Sequence, residues 1–155
     1  MAKTIRGVTV KIGADTSDFT RSLKKIDKDI KYSEQRAREL QNQLQIQYDE
    51  KKWQKANKIV QDDLRDTELK AKAIREELQF LEKTSGVNTD AYKKISVELD
   101  KTETSAEKLN AELEKLKKIK FDSAFQGINK LSSGLETAAK KTALVSAAAV
   151  GAIAG

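Results

Sequence analysis

The feature that most constrains this chain is a run of inward-reading positions between Phe19 and Leu44, spaced 4, 3, 4, 3, 4, 3 and 4 residues apart. They are Phe19, Leu23, Ile26, Ile30, Ser33, Ala37, Leu40 and Leu44. Alternating steps of three and four keep one narrow stripe on one side of a helix. The residues between them are polar or charged, so this helix cannot bury its stripe alone and needs another helix along its length. Two later blocks repeat the pattern. Trp53, Ala56, Val60, Leu64, Thr67, Ala71, Ile74, Leu78 and Leu81 form one, with two successive steps of four that resemble a coiled-coil stutter. Tyr92, Ile95, Leu99, Thr102, Ala106, Leu109, Leu113 and Leu116 form the other.

The links between blocks differ in clarity. Phase is lost after Leu44, and Tyr48 to Lys51 fits a turn or a continuous helix with a phase slip. Thr84 to Thr89 is the clearest loop, with Gly86 placed to end one helix and Asn88 or Thr89 to cap the next. Asp27 with Lys31, Glu34 with Arg38, Asp66 with Lys70 and Glu68 with Lys72 stand acid-first at a spacing of four, expected to support the outer faces. Similar block lengths permit an antiparallel three-helix arrangement or an extended array in an oligomer.

Composition agrees with long, thin helices. Charged residues make up 35% and hydrophobic ones 38%, Pro is absent and Gly numbers 7. Near-cancelling charges and strong periodicity argue against a solvated random chain. Cys and His are both absent, which removes disulfides, thiolate nucleophiles and the commonest metal ligand. Residues 1–16, 17–47 and 119–155 carry +2 each, while 48–83 and 84–118 each sum to zero. So the excess is spread along the chain, which disfavours direct nucleic-acid binding. No Gly-rich phosphate loop occurs, and Asp62-Asp63 and Glu76-Glu77 read as solvated helix faces. No enzyme, metal or cofactor is expected.

Thr4 to Ile12 reads as one short strand, because Val8, Val10 and Ile12 alternate with polar residues. A lone strand is unstable in water, so Val8, Val10 and Ile12 are expected to pair by β-augmentation or within an oligomer. Gly13 breaks the run, and Asp15, Thr16 and Ser17 offer helix-capping oxygens, followed by the acid Asp18. Met1 to Ile12 has no secretory-signal pattern. At the other end, Phe121, Phe125, Ile128, Leu131 and Leu135 outline a further amphipathic helix, with Gly127 and Gly134 among them. Thr142 to Gly155 is uncharged and rich in small residues, shorter than the 20 or so apolar residues of a bilayer span. It is expected to be the start of a longer apolar segment. Leu144, Val145, Val150, Gly151, Ile153 and Gly155 are its membrane-active candidates, with Ala147, Gly151 and Gly155 at small-residue helix-contact spacing.

The run Ile5-Arg-Gly-Val-Thr-Val-Lys-Ile-Gly-Ala-Asp-Thr-Ser-Asp-Phe, followed by Leu23-Lys-Lys-Ile-Asp-Lys-Asp-Ile30, resembles the start of tail tape measure proteins of long-tailed bacteriophages. In that family a short strand of the type I-x-G-[IV]-x-[VI]-x-I-G leads through a Gly-x-Asp-Thr turn into a helix with Leu-Lys-x-[IV]-[ND]-Lys. Residues 4–31 carry the specific likeness. Many relatives have a Leu-Asp-Pro turn after the first helix, where this chain has Gln45 to Glu50 without Pro.

The resemblance implies a helical homo-oligomer inside the phage tail tube, in the virion, assembled in the host cytoplasm. Its implied partners are tail tube protein, tail tip or tail terminator proteins and tail assembly chaperones. It implies a ruler of tail length that leaves the tube during genome ejection, of which this chain is the N-terminal part. The alternatives are a membrane-active helical protein, with host membrane contact beyond residue 142, or a generic coiled-coil adaptor. The expected fold is mainly α, with long coiled-coil-type helices or helical hairpins and one short N-terminal strand. Its parts are a strand and turn over 1–16, helices near 17–47, 52–83 and 90–118, and an amphipathic helix leading to apolar sequence over 119–155.

Overall fold

The computed structural model describes residues 2–133, with side chains through residue 125. Two strands, β1 (Ala2–Ile5) and β2 (Val8–Lys11), precede three helices, α1 (Thr16–Ile46), α2 (Glu50–Thr84) and α3 (Asp90–Ser133). The protein is mainly α with a short N-terminal β element. The helices have 31, 35 and 44 residues, hence lengths of about 46, 52 and 66 Å.

The single strand expected over Thr4 to Ile12 is instead a hairpin. Ile5 pairs with Val8 and Lys3 with Val10 in an antiparallel register. Arg6 and Gly7 make the loop between them, with φ of +52° and +77°. Positive φ at both positions is the geometry whose twist matches two antiparallel strands. Gly7 takes it freely, whereas Arg6 is an uncommon occupant, so the turn was not apparent from Arg-Gly. Val8 and Val10 therefore find their strand partner within the same chain, and Ile12 lies just beyond β2. One hairpin face carries Lys3, Ile5, Val8 and Val10; the other, with Ala2, Thr4, Thr9 and Lys11, is exposed.

Local signals account for the helix ends. The Asp15 carboxylate accepts from Ser17 N–H at 2.8 Å and starts α1. The chain leaves α1 at Gln47, which is extended, so the turn and not the phase slip is present there. Asp49 caps α2 by accepting from Lys52 N–H at 3.0 Å. At the far end of α2, Ser85 and Gly86 N–H both donate to Leu81 O, at 2.8 and 2.9 Å. Gly86 turns the chain out with φ +86°. Thr89 Oγ1 then accepts from Tyr92 N–H at 3.2 Å. No break occurs near residue 119, since α3 runs on to Ser133.

The chain forms two compact units, residues 1–114 and 115–155. In the first, Ser33 meets Asp63 and Asp27 meets Lys70, so α1 and α2 run antiparallel. Arg75 reaches Glu103 at 3.7 Å, and with the short turn between Thr84 and Asp90 this lays the part of α3 within this unit antiparallel to α2. The core gathers beneath the hairpin from Ile5, Val10, Phe19, Leu23, Ile26, Ile30, Ala73, Ile74, Leu78, Leu81 and Ile95, with Val8, Ile12, Tyr92 and Leu99 packed against it. Leu44 and Leu109 are also buried, while Leu40, Trp53, Leu64 and Leu113 are half-buried. In the second unit the described residues belong to α3, and Leu116 is buried there.

Gly13 follows the hairpin at φ +82°, and a Cβ there would stand 3.2 Å from the Phe80 ring. Gly7 also has positive φ, but a Cβ would meet nothing within 4 Å. Left-handed backbone costs an L-residue about 1–2 kcal/mol. Gly13→Ala should therefore lower thermal stability more than Gly7→Ala, and adding Phe80→Leu should restore part of the difference. Equal melting temperatures for the two single variants would contradict the close approach to Phe80.

Candidate functional site

A set of buried charges joins the hairpin to the helices. Arg6 stands at the hairpin tip, where its backbone conformation directs the side chain toward α2. Its guanidinium pairs with the Asp63 carboxylate, lies 2.9 Å from Asp66 Oδ2, and donates to Ser33 Oγ at 3.3 Å. Ser33 Oγ is also 2.6 Å from Asp63 Oδ1, to which it donates. Asp63 is fully buried, with 0% of its surface exposed. One charged group thus ties β1–β2, α1 and α2 at a single point.

Two more polar contacts flank this one along α2. Lys3 Nζ donates to Glu76 Oε1 at 2.9 Å. Gly13 N–H donates to Glu77 Oε2 at 2.9 Å, and Glu77 is fully buried. The amide of the Gly-Ala-Asp-Thr turn thus points at a carboxylate of its own chain. Lower on the bundle, Lys70 is buried and pairs with Asp27.

These contacts correct several expectations. Asp63 and Glu77 do not lie on solvated faces; they are interior groups. Asp66 and Lys70 do not form an outer pair, because Asp66 turns to Arg6 and Lys70 to Asp27. Asp27 correspondingly serves Lys70 and not Lys31. The physical reason is that α2 buries more than one stripe: the hairpin and α1 cover the side holding Asp63, Asp66, Lys70 and Glu77. A heptad count along one helix detects only its apolar stripe.

Burial pushes the Asp63 carboxyl above the ordinary carboxylate range; the Ser33 and Arg6 contacts pull it down, and Asp66 adds to the rise. Burial likewise raises Glu34, and the Asp63 charge adds to it. The arrangement ties three elements of the fold together. Asp63, Glu76 and Glu77 each accept at one oxygen from a donor of the same chain. Asp63 Oδ2, Glu76 Oε2 and Glu77 Oε1 are buried without a hydrogen-bond partner among the described residues. No group of three or more His, Cys, Asp or Glu positioned for a metal ion occurs among the described residues. An open cleft of about 350 Å³ lies among α1, α2 and α3. Charged side chains such as Lys24, Glu34, Glu98 and Lys101 line it, unlike the largely apolar pockets that bury small molecules.

The expected packing residues Phe19, Leu23, Ile26, Ile30, Ile74, Leu78 and Ile95 come together in one core. Leu144, Val145, Val150, Gly151, Ile153 and Gly155 lie outside the described residues. Among the described residues no helix is long and apolar enough to cross a membrane. Comparison of the chain with protein-family models, curated proteins and solved structures finds no match.

Removing Arg6 leaves a buried carboxylate without its cation. Arg6→Ala should cost about 3 kcal/mol of stability, read from urea unfolding by circular dichroism. A loss below about 0.5 kcal/mol would place the pair with ordinary surface ion pairs. Asp63 and Glu34 have raised folded values, above the ordinary 3.8 and 4.5. Their stabilising contribution is therefore fully present below those values and is lost as pH rises through the folded ones. Asp63→Asn removes the Asp63 share of that loss. Whatever its absolute stability, its urea midpoint should rise relative to the parent as pH increases from about 4 to about 7. Parallel pH profiles would count against the raised Asp63.

Proposed function

We propose that this chain is the N-terminal part of a phage or prophage tail tape measure protein, and that the described bundle is its assembly head. The observation that supports the reading is that the apolar positions of the family-like stretch all enter one core, shared with residues of α2 and α3. Ile5, Val10, Phe19, Leu23, Ile26 and Ile30, all within the resembling stretch, are buried together. Gly13 and Asp15 of the same stretch make the turn and start the helix. A likeness confined to scattered surface positions would carry less weight.

The bundle also bears on how such a protein measures length. Helices laid antiparallel share one axial span, so α1, α2 and the first part of α3 extend about 50 Å together. Laid end to end, α1 and α2 alone would extend about 100 Å. A folded head therefore adds little length per residue. On this reading it engages tail proteins and other copies of itself, while extended helix elsewhere in a longer chain acts as the ruler.

Electron microscopy of tails made by the encoding phage or prophage tests this. Arg6→Ala in the full-length protein should reduce the yield of tails while leaving their length unchanged. An in-frame insertion of helix beyond the head should lengthen tails by about 1.5 Å per residue. Normal tails after complete removal of the gene would overturn the reading.

A further inference from the structure

Summing charge along the sequence hides how α1 sorts it. Residues 17–47 hold seven cations and five carboxylates. In the fold Asp27 turns to Lys70, Glu34 is half-buried near Asp63, and Asp18 pairs with Arg21 at 3.3 Å. Lys24, Lys25, Lys28, Lys31 and Arg36 are exposed, with Lys24 and Lys31 on the side that borders the cleft also lined by Glu34 and Glu98. None of these five has an ion-pair partner among the described residues. At 3.6 residues per turn they fall within about 140° of arc, over about 18 Å of helix. Tyr32 sits in the middle of that arc and is 67% exposed. Asp29 is an exposed carboxylate at its flank, and Glu39, also exposed, lies on the same side of the helix just beyond Arg36. At the hairpin end, Lys11 of β2 shares a shallow groove with Arg21 and Lys25. Exposed cations of α2 and α3, by contrast, include several beside acids, as in Lys58 with Asp62, Arg65 with Asp62, and Lys101 with Glu98.

We infer that the outer face of α1 docks the phosphate backbone of a nucleic acid, independently of sequence. Cations recurring every three or four residues stand about 5 Å apart along the axis. A nucleic-acid strand presents a charge every 3.4 Å in a continuous row. The carboxylates of a folded protein are not normally arrayed in that way. The interleaved Tyr32 adds a ring on which an unpaired base stacks, or a hydroxyl that donates to phosphate. This inference does not rest on the tape measure reading and stands or falls separately.

The test is fluorescence anisotropy of the whole chain with a labelled DNA duplex and with one of its strands alone. Five neutralised phosphates predict an affinity loss of about 500-fold for the duplex, and about 130-fold for the strand, between about 50 and 200 mM salt. The variant Lys24→Glu, Lys28→Glu, Lys31→Glu should bind at least about tenfold more weakly at low salt. A charge-matched control, Lys55→Glu, Lys93→Glu, Lys94→Glu, should bind nearly as the parent does. If the reversed helix loses its circular-dichroism signal, the Gln versions at 24, 28 and 31 replace it, with a salt slope shallower by about three. Equal loss in the control, or competition by polyglutamate as strong as by DNA, would overturn the inference. Strand binding weakened further by Tyr32→Ala would assign the stacking role.

Discussion

Asp63 carries a carboxylate into a part of the protein that water does not reach, and the placement of three elements follows from how that charge is answered. Ser33 answers from α1 and Arg6 from the hairpin. Burying these groups is costly, and an apolar substitute could be as stable. What the charges add is address. A 4–3 apolar stripe repeats, so two helices can slide by a heptad and still bury Leu against Ile. A unique buried carboxylate does not repeat, and a slide would leave it without a cation.

The same logic explains the shape of the core. The apolar stripes are thin along most of α1 and α2, but beneath the hairpin Ile5 and Val10 add a third wall. There Phe19, Leu23 and Ile26 are almost wholly enclosed. The polar ties of Lys3, Arg6 and Gly13 surround that enclosure at its rim. Further down, Leu40, Trp53 and Leu64 are only half-covered, as expected of a stripe with fewer walls.

Much of the helical architecture was legible because its signals are local. The 4–3 spacing located the packing residues, Gly86 marked the end of α2, and Asp15 and Thr89 capped helices as their chemistry demands. Antiparallel order was one of two readings open to the periodicity, since helix direction leaves no trace in spacing. The hairpin and its buried charges were not legible for a different reason. Arg6 occupies a turn position that Asn or Gly usually fills, so its side chain outweighs its backbone preference there. Asp63, Asp66 and Glu77 resemble any acids on a charged helix until another element covers them, and that cover comes from residues far away in sequence.

The separation has a kinetic consequence. Lys3 finds its partner 73 residues downstream, Arg6 finds Asp63 at 57, and Gly13 finds Glu77 at 64. Chain emerging from a ribosome at about 5–20 residues per second makes those partners only after several seconds. During that interval the nascent β1–β2 segment holds Ile5 and Val10 with at most the forming α1 for cover. Two short strands with free edges are a template for pairing with a neighbouring nascent chain. The charges of Lys3, Arg6 and Lys11, not yet answered by α2, oppose such pairing while that helix is still being made, so Lys3 and Arg6, which later fix the register, first help to keep the unfinished chain apart.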